Sequence, residues 1–349
     1  MAVKSLPDVL RAAWTPAGVT RRELEVNLSL SRPTVDKALA ELRRLDLVHP
    51  WGTRAPWGGR PAVVFRVHGE ARLALGVDVE LPRLEFVLTD LWGTALHAKS
   101  LIVEGLANPA TVLRHVAEEL RRWAKEVGLR WPKVAGIGLG LPAFLTDGTA
   151  NFVGQTLPAW HRVPARQILE REFPIPVRIH HDMHLMALAE AHQGGWDDDV
   201  LLYFALRPGL HGDIRIGASV LVDGNVYLGA HGHGGALYRA FVEPGELAGL
   251  SPRKQIDLLV DRATNPLVHA VTLFDPGRVV IHAEMLGEQE PLFIEGCRRR
   301  VQKALEGEFP DAVEVAPARA RGPTAALGAA ITVVRDLYAN PAPLLAQRG

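Results

Sequence analysis

Within one run of five residues, His180-His181-Asp182-Met183-His184, the chain sets three histidines around a carboxylate, and His231 and His233 follow farther along. Imidazole and carboxylate are ligands for transition metals, and imidazole is the side chain that changes charge near neutral pH. A spacing of four would place His180 and His184 on one face of a shared helix. The plainer reading, histidines that are simply packed or solvated, is the stronger one, because no motif here specifies metal. Cys297 is the only cysteine, so a single chain can build neither an internal disulfide nor a thiolate zinc cluster. A protein without metal or cofactor is expected.

A second set of side chains is suited to phosphate. Residues 1–70 hold 11 Lys and Arg against 7 Asp and Glu, while the whole chain has 39 of each, so the rest is net acidic. In that basic segment Thr20, Arg21, Ser31, Arg32, Thr34, Lys37, Arg54 and Arg60 are the residues expected to meet duplex DNA.

What must position them is a pair of helices followed by a hairpin. Ser31 is a suitable N-cap whose hydroxyl can accept from a first-turn amide, and Pro33 is tolerated where no intrahelical donor is needed. Val35, Leu39, Leu42 and Leu45 then recur at spacings of four, three and three, one apolar stripe with charged residues elsewhere on the cylinder. Thr20 to Leu28 supplies a shorter helix before it, and Leu6 to Trp14 could complete a three-helix core. The short Ser-Leu-Ser link is what a helix-turn-helix needs to present its second helix to a major groove. After Leu47 a Gly/Pro-rich loop and the run Ala62-Val-Val-Phe-Arg-Val read as the wing of a winged helix.

At 349 residues with 48% hydrophobic content, the chain has core enough for two or three domains. It has neither a leader-like start nor an apolar run of membrane-spanning length, so a soluble, cytoplasmic protein with no membrane contact is expected. From Arg72 onward, strands at Leu73–Val79, Leu84–Asp90 and Ala95–Val103 precede a helix over Thr111–Val127 and a glycine-rich strand from Val134. A helix over Ala165–Phe173, a strand at Val177–Ile179, a helix from Met183 to Gln193 and strands at Val200–Leu206, Ile216–Val222 and Asn225–Leu228 follow. Alternating strands and helices imply an α/β domain with both sheet faces covered.

The ordered series Gly59-Arg60-Pro61, Leu75-Gly-Val-Asp-Val, Leu88-Thr-Asp-Leu-Trp-Gly, Gly136-Ile-Gly-Leu-Gly-Leu-Pro, His181-Asp182, Val222-Asp-Gly-Asn-Val-Tyr-Leu-Gly-Ala-His-Gly, Leu273-Phe-Asp-Pro and Ala325-Ala-Leu-Gly-Ala-Ala resembles the ROK family of repressors and sugar kinases. The resemblance covers nearly the whole chain. It implies a winged helix-turn-helix over 1–68 and an actin-like two-lobed domain over 69–349. The smaller lobe would take about 72–180 plus a C-terminal helix at about 321–340, and the larger lobe about 181–320. A sugar site would lie between the lobes, with His180, His181, Asp182, His184, His231 and His233 around it as an effector cleft.

Departures from the family pattern matter as much. The phosphate loop of Asp-x-Gly-Gly-Thr type keeps Asp78 but continues Glu80-Leu81-Pro82, where Pro82 has no amide to offer and Glu80 adds negative charge. Asp213 repeats that charge in the second loop, Gly212-Asp-Ile-Arg-Ile-Gly, and His282-Ala283-Glu284 replaces the glycine pair expected at adenosine. Asp182 matches the family's catalytic aspartate and is expected to be inactive here. The sugar- and zinc-binding Gly-Glu-Ile-Gly-His becomes Gly235-Ala236-Leu237-Tyr238-Arg239, and the cysteine-rich zinc loop is missing. The expectation is therefore a DNA-binding regulator, a repressor, acting on a double-stranded operator as a homodimer or higher oligomer, with a kinase-like domain that no longer phosphorylates and answers to an unknown small effector. An active sugar kinase with an attached DNA module, and a protein-binding scaffold without effector, are the alternatives.

Overall fold

A computed structural model describes residues 5–341 apart from 56–60, 106–107, 152–159, 197, 210–211, 236, 238–240 and 308–312. Arg60, Ala236, Tyr238 and Arg239, singled out from the sequence, lie outside the described residues.

The first module holds α1 (Leu6–Ala12), β1 (Val19–Thr20), α2 (Arg21–Asn27), α3 (Arg32–Arg44), β2 (Val48–Arg54) and β3 (Ala62–Val67), with the strands in the antiparallel order β1-β3-β2. Thr20 starts α2 through a reciprocal cap: its hydroxyl accepts from the Glu23 amide at 3.3 Å, and its own amide donates to Glu23 Oε2 at 2.7 Å. The expected cap on α3 differs. Ser31 has no side-chain bond to a first-turn amide; its Oγ instead pairs with Thr34 Oγ1 at 2.8 Å, leaving Pro33 and the extended backbone of Ser31 to define the start. The apolar stripe of α3 is buried at Val35, Ala38, Leu39 and Leu42.

Next comes a five-stranded sheet ordered β10-β7-β4-β5-β6. Its elements are β4 (Leu73–Glu80), β5 (Arg83–Thr89), β6 (Ala95–Ile102), α4 (Pro109–Glu126), β7 (Val134–Leu141), the small hairpin β8 (Phe144–Thr146) and β9 (Thr149–Asn151), α5 (Ala165–Glu172) and β10 (Val177–His181). The α6 helix (Asp182–Gln193) follows β10 directly. A second sheet, ordered β13-β12-β11-β15-β16 with β14 also paired to β12, is built from β11 (Val200–Pro208), β12 (Ile214–Val222), β13 (Asn225–Val226), β14 (Phe241–Val242), β15 (Arg278–His282) and β16 (Glu314–Pro317). Helices α7 (Pro244–Leu247), α8 (Pro252–Phe274) and α9 (Glu290–Leu305) belong to this part, and α8 and α9 pack on the sheet's apolar core.

The chain closes with α10 (Thr324–Ala339), which packs on α6, β4 and β7. Glycines allow the approach: a Cβ on Gly76 of β4 would overlap the Ala326 carbonyl of α10, and one on Gly328 of α10 would overlap the Leu185 carbonyl of α6. The far end of α10 enters the core of the first module, where Val333, Val334, Leu337 and Tyr338 join Leu10, Leu39, Leu42 and Phe65 in one apolar cluster. The fold is thus α/β, a winged helix on two mixed-sheet lobes, with the winged helix sharing a core with the first lobe rather than hanging from a linker. Among the described residues no helix is long and apolar enough to cross a membrane.

Candidate functional site

Two surfaces carry the polar groups picked out above. On the winged helix, Arg32 and Lys37 of α3 are exposed and enter no ion pair among the described residues; Thr34 is half-buried beside Ser31. Arg21 and Arg54, two more of the basic residues picked out, are already engaged. Arg21 Nε donates to Asp36 Oδ1 at 2.7 Å and its guanidinium lies over Phe65, while Arg54 pairs with Glu23 at 2.5 Å and donates to the Ala17 carbonyl at 2.8 Å. Thr20 is buried by its capping role, so of the residues expected on DNA it faces inward. These contacts orient α2 and the wing against α3, and they leave the start and outer face of α3 as the open basic surface.

The second surface is the cleft where β4, β10, α6 and β11 converge. Asp182 opens α6 and is 4% exposed. Its Oδ1 accepts from the Met183 amide at 2.7 Å and lies 2.8 Å from His181 Nδ1, while Oδ2 stands 3.6 Å from Arg207 Nη2. Burial by itself pushes such a carboxyl up; His181, Arg207 and the Met183 amide overcome it and hold Asp182 well below the usual carboxylate range. Arg207, mostly but not fully covered near the end of β11, is shared further: Asp78 Oδ2 lies at 3.4 Å and Glu80 forms a direct ion pair with it. Burial raises the carboxyls of Asp78 and Glu80 even against the pull of Arg207. Three carboxylates around one guanidinium make an internally paired, acid-rich cluster.

The histidines divide. His181, His184 and His233 gather with Phe144: His181 and His184 ring centres are 5.4 Å apart, and His233 packs on Phe144 at 4.2 Å. His184 Nε2 meets the Gly234 carbonyl at 3.0 Å, and burial pushes its imidazole down to about 4, so it is neutral at pH 7 and donates that bond. His180 sits in β10 and not in the helix, so it shares no helical face with His184; its surroundings include Asp336 and Arg178. His231 is exposed and, among the described residues, makes no ring contact or ion pair with the cluster. Among the described residues no group of three or more His, Cys, Asp or Glu side chains is placed to hold a metal ion.

The loops that would face nucleotide phosphates are also committed. Glu80 is bound to Arg207; Asp213 accepts from Arg215 Nε at 3.0 Å, and its carbonyl takes the Gly209 amide at 2.7 Å. Ala283, in place of an adenosine-contacting glycine, donates its amide to Glu290 Oε1 at 3.1 Å. Sequence reasoning passed over Arg207, although a lone arginine inside the apolar strand Val200-Leu-Leu-Tyr-Phe-Ala-Leu-Arg-Pro is a readable signal of a buried ion pair. It passed over Phe144 and His184's partner Gly234 as well, since neither has a local pattern that announces the contact.

Known proteins match this arrangement. A model described as the ROK family matches residues 74–246. The xylose repressor of Caldicellulosiruptor bescii is 23% identical over 218 residues, 62% of this chain and 53% of that protein. The chain spans about half the length of the curated relatives it matches. Among solved structures, a ROK family transcriptional regulator homologous to the E. coli MLC protein superposes with a TM-score of 0.73 at 16% identity, covering 96% of each chain. A ROK hexokinase from Thermus thermophilus gives 0.62 at 22% identity, covering 77% of this chain and all of the hexokinase. The family model covers the five-stranded sheet and β11 to β14 of the second, the fold of the regulator agrees along nearly the whole chain, and the chain belongs to the ROK family.

Proposed function

We propose that this protein is a sequence-specific DNA-binding transcriptional regulator, a repressor, whose kinase-type domain carries a signal and transfers no phosphate. The observation that carries the reading is α3: one face buries Val35, Ala38, Leu39 and Leu42, while the other exposes Arg32 and Lys37 with no ion pair among the described residues to absorb their charge. Such a helix serves a polyanion. Relatives named as xylose repressors and a fold neighbour named as a transcriptional regulator support it. Because one recognition helix reads only a few base pairs, the regulator works as a homodimer on paired half-sites of a double-stranded operator.

The cleft supports the second half of the proposal. A general base works best with a pKa near the working pH, and Asp182 is held far below it by His181 and Arg207, which makes it a poor acceptor for a sugar hydroxyl proton. A phosphate approaching this cleft would meet Glu80 and Asp213 in place of converging amides. The cluster of His181, His184, His233 and Phe144 beside Asp182 is better suited to reading a small effector than to transforming one.

Selection of bound genomic fragments by the full chain tests the proposal, followed by titration of the recovered operator. Arg32→Ala and Lys37→Ala should each weaken binding about tenfold or more, on ~1 to 3 kcal/mol per base-reading contact. Unchanged operator affinity in both variants sinks the assignment of α3, and ATP-dependent sugar phosphorylation by the wild-type chain sinks the non-catalytic reading of the cleft.

A further inference from the structure

Eleven large apolar side chains stand exposed among the described residues, and four of them, Val222, Tyr227, Leu228 and Leu273, belong to two segments that meet. The first is the β12–β13 turn with the residues after it; the second is the last turn of α8. Tyr227 sets its ring edge-on to the half-buried Phe274 with centres 6.0 Å apart, and its amide donates to the Val220 carbonyl at 2.8 Å. Val222 pairs with Val200, whose carbonyl takes the Gly277 amide just past α8 at 3.0 Å. The edge of the second sheet at β13 and the end of α8 thus present one apolar face.

Its size, charge and connections say what covers it. Leu273 is 77% exposed and the other three 39% to 48%, which leaves on the order of 400 Å² of apolar surface open, about half of the ~800 Å² that each partner gives to a stable complex. Residues 224–235 and 263–274 contain no Asp, Glu, Lys or Arg; Asp223 and Asp275 stand at the border. A two-fold axis sets a patch against its own image, so a charged patch repels itself and one depleted of charge does not. Nor does a face without a cation serve the phosphates of DNA. The connections run to both working surfaces. Arg335 of α10 donates to the Gly224 carbonyl at 3.1 Å, and α10 ends in the core of the winged helix. From Leu228 the chain continues to Gly234, whose carbonyl accepts from His184 in the cleft.

We infer that this face is the two-fold contact between two copies of the chain, with Tyr227 and Leu273 of each seated on the apolar face of the other. The inference rests on the homodimer of the regulatory reading and gives it a place, between the helix that reaches the winged helix and the loop that reaches the cleft.

Sedimentation of the full chain at about 10 µM tests it, with titration of a paired operator and of a single half-site alongside. Wild type should run as a dimer and remain one as salt is added, since salt weakens charge pairs and not apolar contact. Leu273→Lys keeps a good helix former in the last turn of α8 and brings a charge from each copy into the contact. It should raise the dimer dissociation constant about tenfold or more at an unchanged melting temperature. Its affinity for the paired operator should fall as well, while that for a single half-site stays at the wild-type value, because α3 is untouched. If that variant melts early, Tyr227→Lys takes its place with the same expectation. Leu96→Lys, exposed on β6, should leave the dimer intact. A monomeric wild type, a dimer lost on adding salt, wild-type dimerisation in the folded variant, or dissociation by Leu96→Lys overturns the inference. A dimer that Leu273→Lys splits but that binds no operator supports the inference and overturns the DNA-binding reading alone.

Discussion

His184 shows how a residue type that invites a chemical reading can be put to structural use. Its ring is buried, donates to the Gly234 carbonyl, and has an imidazole pushed down to about 4 from an ordinary 6.5. The unfolded chain therefore takes up a proton here near pH 6.5 and the folded chain only near 4. Between those values the unfolded state holds more protons, so stability present at pH 7 is lost as pH falls. From pH 7 to pH 5 the His184 share is about 2 kcal/mol. Glutamine can keep the donor to Gly234 without titrating. In urea denaturation at the two pH values, His184→Gln should lose less stability than wild type by about that amount. Glu23, Asp182 and the other shifted groups are common to both proteins and cancel in the difference. Identical pH dependence would show that His184 is protonated in the fold.

At the scale of elements, α10 depends on what it lacks. Gly328 sits mid-helix among Ala325, Ala326, Ala329 and Ala330, where alanine would favour the helix by about 1 kcal/mol. The contact decides otherwise, because a Cβ there would overlap the backbone of Leu185, and backbone in α6 cannot swing aside like a side-chain tip. Gly328→Ala should therefore destabilise the protein, by a net of about 1 to 3 kcal/mol in chemical denaturation; a stabilised variant would mean that α6 and α10 separate freely. Much of this architecture is legible in the sequence. The spacing of Val35, Leu39 and Leu42 marks α3, the strand Leu75-Gly-Val-Asp-Val marks β4, and α6 is foreseen to within a residue at its start. The sequence reading offers no counterpart to α8, which carries Pro266 inside it, where a proline ordinarily signals a helix end. The inward turn of Thr20, the occupation of Arg21 and Arg54 by Asp36 and Glu23, and the convergence of Asp78, Glu80 and Asp182 on Arg207 are long-range pairings. No local spacing encodes them.

Across the whole molecule, the cleft and the winged helix that carries α3 are joined by packed rings and not by a linker. The α6 helix begins with Asp182 in the cleft and carries His192 in its last turn, where Trp14 stacks on it at 5.9 Å. Trp14 also stacks on Tyr338 of α10 at 4.7 Å, and the Tyr338 hydroxyl donates to the Leu91 carbonyl at 3.0 Å. Nearby, Arg66 of β3 lies between Trp51 of the wing and Trp92 of the first lobe, with ring centres 4.5 and 4.6 Å away. A shift of α6 driven from the cleft would thus press on Trp14, two residues past the end of α1, before it reached α3. This continuity predicts that wild type unfolds in one cooperative transition, since neither core is complete without the other. Trp14→Ala removes the shared ring, at about 2 to 3 kcal/mol, below the ~3 to 5 of a fully buried tryptophan because Trp14 is only half-buried. Scanning calorimetry should then show an early transition for the winged helix, separate from that of the two lobes. The operator should still bind at low temperature, where the module stays folded, because Trp14 lies away from the outer face of α3. A single transition at the wild-type temperature would mean that Trp14 is not the joint, and that a signal from the cleft must reach α3 by way of Arg66 and the wing.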